Sequence, residues 1–193
     1  MSRNRVKTSR KRITAEDRLP GDLTAEELID RMIRVDRAGE YGARRIYEGQ
    51  LSVLREGKAK DQVRHMAEQE ARHLEIFDDL MVERRTRPTV LSPLWHVAGF
   101  ALGAGTALLG EKAAMACTAA VEEVIDEHYA AQSQALGDDE ARLRRVIDEA
   151  RAQEIEHRDT ALEAGAAETP GYEVLSAVIK RGSRLAIWLS ERL

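Results

Sequence analysis

Apolar residues recur along most of the chain at steps of three and four, the spacing of one face of a helix. The four prolines, Pro20, Pro88, Pro93 and Pro170, fall between such runs, where proline is tolerated. Thr24-Ala25-Glu26-Glu27 is a capping-box pattern and predicts a helix running to about Arg55. Glu56-Gly57-Lys58 reads as a turn, and a second helix is predicted from about Ala59 to Arg84. Its stripe is Val63, Met66, Ala67, Leu74, Phe77, Leu80 and Met81. A third helix is expected to continue from an uncharged segment to about Ala135. A turn at Leu136-Gly137-Asp138-Asp139 precedes a fourth helix from about Glu140 to Ala164. The last stretch, Tyr172 to Arg192, is amphipathic, with Val174, Leu175, Val178, Ile179, Leu185, Ala186 and Leu189 on one side.

Residues 89–110 contain no Asp, Glu, Lys or Arg over 22 positions. Only 17 of those positions follow Pro93, and four glycines dilute them, which is short for a membrane span. Two readings stay open for this segment, an element lying in the membrane interface or a buried core helix. Trp95 at its start suits an interface, as does Trp188 beside Lys180, Arg181 and Arg184 in the last helix.

Composition narrows the class. Of 193 residues 43% are hydrophobic and only 4% aromatic, with four prolines, which argues against an all-β sandwich or barrel and for helix. The lone Cys117 excludes an internal disulfide and a cysteine-rich metal site. The net charge of −4 is uneven. Six positive charges, from Arg3 to Arg12, precede the first acid at Glu16, leaving 24 basic against 34 acidic residues in the remainder, a net of −10. Residues 1–20 are therefore expected to be a basic arm, either solvated or facing an anionic membrane, and residues 21–193 a single domain. An acidic body makes nucleic acid an improbable partner.

Polar residues on the apolar stripes carry the chemistry. Glu70 and His73 sit on the stripe of the second helix. In the fourth helix the stripe is Leu143, Ile147, Ala150, Glu154, His157, Ala161 and Ala164. Each pair reads Glu-x-x-His, which places a carboxylate and an imidazole side by side on one helix face. A buried carboxylate without a partner is costly, so it normally acquires a cation. One helix upstream lie Glu40, beside Ile33, Ala43 and Tyr47, and Glu122, beside Met115, Ala119, Ile125 and Tyr129. Glu123 competes with Glu122 but shares its face with Asp126 and Glu127. Positions 40 and 122, 70 and 154, and 73 and 157 repeat at offsets of 82 to 84 residues. This is an internal duplication of a helical hairpin. Two hairpins would bring Glu40, Glu70, His73, Glu122, Glu154 and His157 into one core. That is the ligand set of a ferritin-like four-helix bundle holding two iron or manganese ions.

Val35-Asp36-Arg37-Ala38-Gly39-Glu40-Tyr41-Gly42-Ala43, residues Ala116 to Glu123, and the ending Ala186-Ile187-Trp188-Leu189-Ser190-Glu191-Arg192-Leu193 resemble the demethoxyubiquinone hydroxylases. The resemblance covers residues 23 to 193. Arg37 departs from it, since the family carries His there. The resemblance implies the same six residues as ligands of two iron ions, with Glu70 and Glu154 bridging. It implies hydroxylation of the ring of a polyprenylated demethoxy-quinol with O2 and two electrons from an external donor, NADH being a candidate. It further implies a peripheral place on the cytoplasmic side of the cell membrane, or on the matrix side of the mitochondrial inner membrane in a eukaryote. A lipid-presenting protein of the quinone pathway and a homo-oligomer are candidate partners. His128 and Tyr129 are candidates for ordering ligands or touching quinone, and Asp36 for accepting a hydrogen bond from a ligand histidine. The rival function is iron storage or peroxide removal, which would use the same six ligands.

Overall fold

The computed structural model describes residues 21–193, so the basic arm of residues 1–20 lies outside the described residues. Six α-helices account for most of what is described: α1 (Ala25–Val53), α2 (Lys58–Arg84), α3 (Ser92–Leu108), α4 (Glu111–Ala135), α5 (Ala141–Glu163) and α6 (Tyr172–Ser190). The capping box opens α1 as its spacing predicts. Thr24 Oγ1 accepts from the Glu27 amide at 3.0 Å, and the Glu27 carboxylate accepts from the Thr24 amide at 2.7 Å. Two otherwise orphaned amides are thereby satisfied.

The third predicted helix is two helices. The uncharged segment forms α3, and the chain breaks at Leu109-Gly110, where Gly110 adopts φ 118. That conformation suits glycine and not a residue with a side chain, so α4 starts afresh at Glu111. The duplicated unit is therefore three helices long. α1 packs against α2 and α3, and α4 packs against α5 and α6. Fewer contacts join α1 to α4 and α2 to α5, and these close the four-helix bundle.

The apolar stripes meet in two plugs. At one end Ile29, Ile33, Phe77, Tyr129, Leu143 and Ile147 pack together. At the other, Tyr47, Val63, Met66, Met115, Ala119 and Ala161 do so. On each of the four helices the candidate ligands fall between the residues of one plug and those of the other. The plugs exclude water from both ends of the bundle axis, so charges placed between them act in a low-dielectric setting.

α3 is seated on α1 by glycine. A Cβ at Gly103 would stand 1.9 Å from the Ile46 carbonyl oxygen, and one at Gly49 would stand 2.2 Å from that of Phe100. Backbones this close leave no space for a methyl group. Gly99, Gly103, Thr106 and Ala107 are buried by the contact, while Leu94, Val97 and Leu108 remain exposed on the outer side. The segment thus packs along one face and leaves an apolar edge on the other. α6 is held differently, by Ile179 in a small core with Ile46, Cys117 and Val121, and by Lys180–Glu123 and Arg184–Glu127 ion pairs at 2.7 and 2.9 Å. Its predicted stripe is wider than its contact. Val174, Val178 and Leu185 are exposed, as is Trp188. Among the described residues no helix is long and apolar enough to cross a membrane.

Candidate metal centre

α1 contributes Glu40, α2 Glu70 and His73, α4 Glu122, and α5 Glu154 and His157, and every one of these side chains is buried. The fold brings all six together. They form two overlapping groups whose ligand atoms lie within 4.8 Å of one another: Glu40, Glu70, His73 and Glu154, and then Glu70, Glu122, Glu154 and His157. Only Glu70 and Glu154 belong to both groups. His73 Nδ1 lies 3.3 Å from Glu40 and 3.2 Å from Glu154. His157 Nδ1 lies 3.2 Å from Glu70 and 3.3 Å from Glu154.

Four carboxylates in one buried space repel each other. Burial first, and then the charge of Glu154, push the Glu70 and Glu122 carboxyls well above their usual range. Burial raises Glu154 as well, but the His157 and His73 imidazoles outweigh it and hold Glu154 at about 2. His73 is raised to about 10, because Glu154 and Glu40 together override the effect of burial. Both oxygens of Glu70, both of Glu154, Glu122 Oε2 and His157 Nδ1 lack a hydrogen-bond partner. Orphaned polar atoms at this depth are rare in a native fold. An oxygen- and nitrogen-rich set that converges with so many of its atoms unsatisfied fits divalent cations, and carboxylate with imidazole suits iron or manganese.

The surroundings cross from one half to the other. The Tyr47 hydroxyl of α1 donates to Glu122 of α4 at 2.5 Å, and the Tyr129 hydroxyl of α4 donates to Glu40 of α1. Burial, and then the charges of Glu122 and Glu40 respectively, push both phenols well above their usual value and keep them as donors. Gln69 Oε1 is 3.0 Å from His157 Nε2, and Gln153 Oε1 is 3.2 Å from His73 Nε2. Gln50 donates to Thr118 at 3.3 Å, and Gln132 donates to Asp36 at 2.7 Å. Residues 47 and 129, 50 and 132, and 69 and 153 are 82 or 84 positions apart, the same offsets as the ligands. The three glutamine and tyrosine pairs could have been found by extending the repeat beyond its charged members.

Asp36 does not serve a ligand histidine, since those nitrogens face the two glutamines. It lies 3.5 Å from His128 Nε2 instead. Burial raises its carboxyl to about 6, against the hydrogen bond and charge of His128. Arg37 turns outward, donating to Asp78 at 2.9 Å and lying over the Tyr41 ring. Its departure from the family pattern therefore leaves the centre untouched.

A cavity of about 340 Å³ lies beside the centre, with Ala38, Gly42, Trp95, Gly99, Val121 and Ala186 on its walls. Its inner walls are α1 and α4 at the residues flanking Glu40 and Glu122, and its outer walls are α3 and α6. Trp95 Nε1 donates to Ser190 Oγ at 3.0 Å and ties the two outer walls together.

The family model for ubiquinone biosynthesis protein COQ7 matches residues 27–190. The chain belongs to the COQ7 family. It is 61% identical over 183 residues to a 3-demethoxyubiquinol 3-hydroxylase of Rhodospirillum rubrum, covering 94% of this chain and 86% of that one. A mitochondrial NADPH-dependent 3-demethoxyubiquinone 3-hydroxylase of Homo sapiens is 50% identical, over 89% of this chain and 81% of its own. A mitochondrial 5-demethoxyubiquinone hydroxylase of Saccharomyces cerevisiae is 41% identical, over 86% and 78%. The six candidate ligands, the crossed tyrosines and the apolar cavity all fall inside the stretch of this COQ7-family chain that the family model matches.

Proposed function

We propose that this chain is a di-iron monooxygenase of ubiquinone biosynthesis that hydroxylates the ring of a polyprenylated demethoxy-quinol. One oxygen atom of O2 enters the ring C–H bond, the other leaves as water, and an external donor supplies two electrons with two protons. The observation that carries the reading is the sharing of Glu70 and Glu154 between the two ligand groups. Glu40 and His73 would complete one iron site and Glu122 and His157 the other, with Glu70 and Glu154 bridging. Iron bound there supplies O2 activation and redox change.

The chain's own residues do the rest. Tyr47 and Tyr129 hold the two terminal carboxylates by hydrogen bonds. The two apolar plugs keep water away from the centre. The apolar cavity seats the quinol ring against α1 and α4, and its volume lies at the lower end for small-molecule sites. The prenyl tail leaves between α3 and α6, whose outer edges expose Leu94, Val97, Leu108, Val178, Leu185 and Trp188. Those edges rest on a lipid surface as a peripheral contact, on the cytoplasmic side of a bacterial membrane or the matrix side of a mitochondrial one. A lipid-presenting protein or a second copy of the chain would meet the same edges. A reduced nicotinamide is the donor. NADPH stands in the names of the mammalian relatives, and NADH is the other candidate.

The test is anaerobic reduction of the iron-loaded protein, then O2 and a demethoxy-quinol analogue, with the product weighed. A gain of one oxygen atom in the ring, with about two irons per chain, is expected. Rapid peroxide turnover with no hydroxylated quinol would favour the iron-storage or peroxide-removal reading. Ala186→Trp should fill the cavity and suppress quinol turnover while leaving the metal content unchanged.

A further inference from the structure

We infer that Gln69 and Gln153 are positioning residues of the centre, each fixing the ligand histidine of the opposite half with Nδ1 turned toward the carboxylates. The inference rests on the di-iron reading above. An imidazole that binds metal through one nitrogen carries its proton on the other, and that N–H needs an acceptor. For both histidines the inward nitrogen is Nδ1, 3.2–3.3 Å from two carboxylates each. For both, the outward nitrogen meets a glutamine Oε1, at 3.2 Å from Gln153 and 3.0 Å from Gln69. The same role is filled twice, by residues occupying the same place in the repeat Gln-Glu-x-x-His.

The crossing has a geometric cause. Each glutamine immediately precedes a shared glutamate, so it is rotated about 100° from it around the helix. On α2 that rotation aims Gln69 across the seam at α5, and on α5 it aims Gln153 back at α2. Chemistry explains why an amide suits the place. The centre already holds four buried carboxylates. A carboxylate acceptor would add negative charge and pull the imidazole proton outward, making each histidine a stronger donor to metal. A neutral amide fixes ring and tautomer without that charge. Gln69 has a second task. A cleft of about 510 Å³ between α2 and α5, lined by His65, Glu156 and Thr160, reaches Gln69 and His157. With Gln69 buried against Nε2, the outward N–H of His157 is occupied by protein, not by water.

Cobalt(II) loading of the full chain tests this without reference to turnover. The wild type should take up two cobalt ions and show two exchangeable, paramagnetically shifted imidazole N–H resonances. Gln69→Leu should broaden or abolish one of them by faster exchange, Gln153→Leu the other, with cobalt affinity down about 10- to 100-fold in each. Gln69→Glu should keep both resonances, move one, and lower the midpoint potential of the iron-loaded protein. Should either Leu variant fail to fold, the near-isosteric Gln69→Glu decides alone, an unmoved resonance and potential counting against the inference. Two cobalt ions with both resonances unaffected by either Leu substitution would overturn it while sparing the di-iron reading. Fewer than two cobalt ions in the wild type would overturn that reading and this inference with it.

Discussion

The two halves of the molecule agree at the centre and differ at its margins. Glu40 and Glu122, Tyr47 and Tyr129, and Gln69 and Gln153 play matching parts. Further out the match ends. Asp36 and Gln132 correspond to Thr118 and Gln50, so one end of the centre has a buried carboxyl paired with His128 and the other a neutral hydroxyl. The outer helices differ as well, α3 clamped on α1 by glycine and α6 held on α4 by ion pairs. On the proposed reading, holding two metals would constrain both halves equally, whereas admitting a substrate and protons from outside would need only one route. The two halves match where the first demand would apply and differ where the second would.

The largest effect should come from breaking what the halves share. Glu154→Ala removes oxygen atoms from both ligand groups, so both metals and all hydroxylation should be lost while most helix content remains. Glu122→Ala touches one group and should leave about one metal per chain. Elemental analysis with circular dichroism separates the two outcomes.

The two clamps should then differ in sign. Gly103→Ala drives a methyl group into the Ile46 carbonyl and should destabilise the fold by about 3 kcal/mol. Gly182→Ala on α6 meets nothing within 4 Å and should stabilise by about 0.5–1 kcal/mol, as alanine replaces glycine in a helix interior. Denaturant midpoints compare them directly.

A smaller difference should appear with pH. Asp36 is raised to about 6 in the folded state, from an ordinary value of 3.8. A carboxyl raised in this way favours the fold below its unfolded value, and that advantage fades as pH climbs through 6. His128 is raised too, its hydrogen bond to Asp36 prevailing over burial, so its contribution also fades as pH rises. Asp36→Asn should therefore flatten the decline in stability above pH 4, with a gain of about 1–2 kcal/mol at pH 8. Thr118→Val, its counterpart, should leave the pH profile unchanged in shape. Thermal melts from pH 4 to 8 provide the check.

The smallest effect belongs to the α6 ion pairs. Lys180→Ala should lose less than about 1 kcal/mol, and less again in 1 M salt, because the pair is partly exposed. Substitutions at the α1–α3 contact should show no such salt dependence.

Much of this was legible in the chain itself. Glu70, His73, Glu154 and His157 stand on stripes whose other members need burial, and that conflict alone pointed to a cation. The helix limits followed from Thr24, Gly57 and the prolines. The break at Gly110 was hidden because an uncharged run reads alike whether it continues, turns or packs. The glycines of α3 looked like dilution of an apolar segment, and only the approach of Ile46 shows that they make the contact possible. The stripe of α6 was visible, but periodicity does not reveal how much of a face will find a partner. Gln69 and Gln153 were missed for another reason. An uncharged side chain on a stripe edge raises no conflict, and its partner lies in the opposite half of the sequence.

That crossing also bears on how such a chain can change over generations. A residue that supports the centre acts on a ligand roughly eighty positions away in the sequence, and its own neighbours are supported from equally far off. Damage near Glu40 is therefore repaired most directly around Tyr129, and damage near His157 around Gln69, because directly touching residues couple most strongly. Compensating changes should arise in pairs that straddle the duplication, and neither half is free to drift without the other.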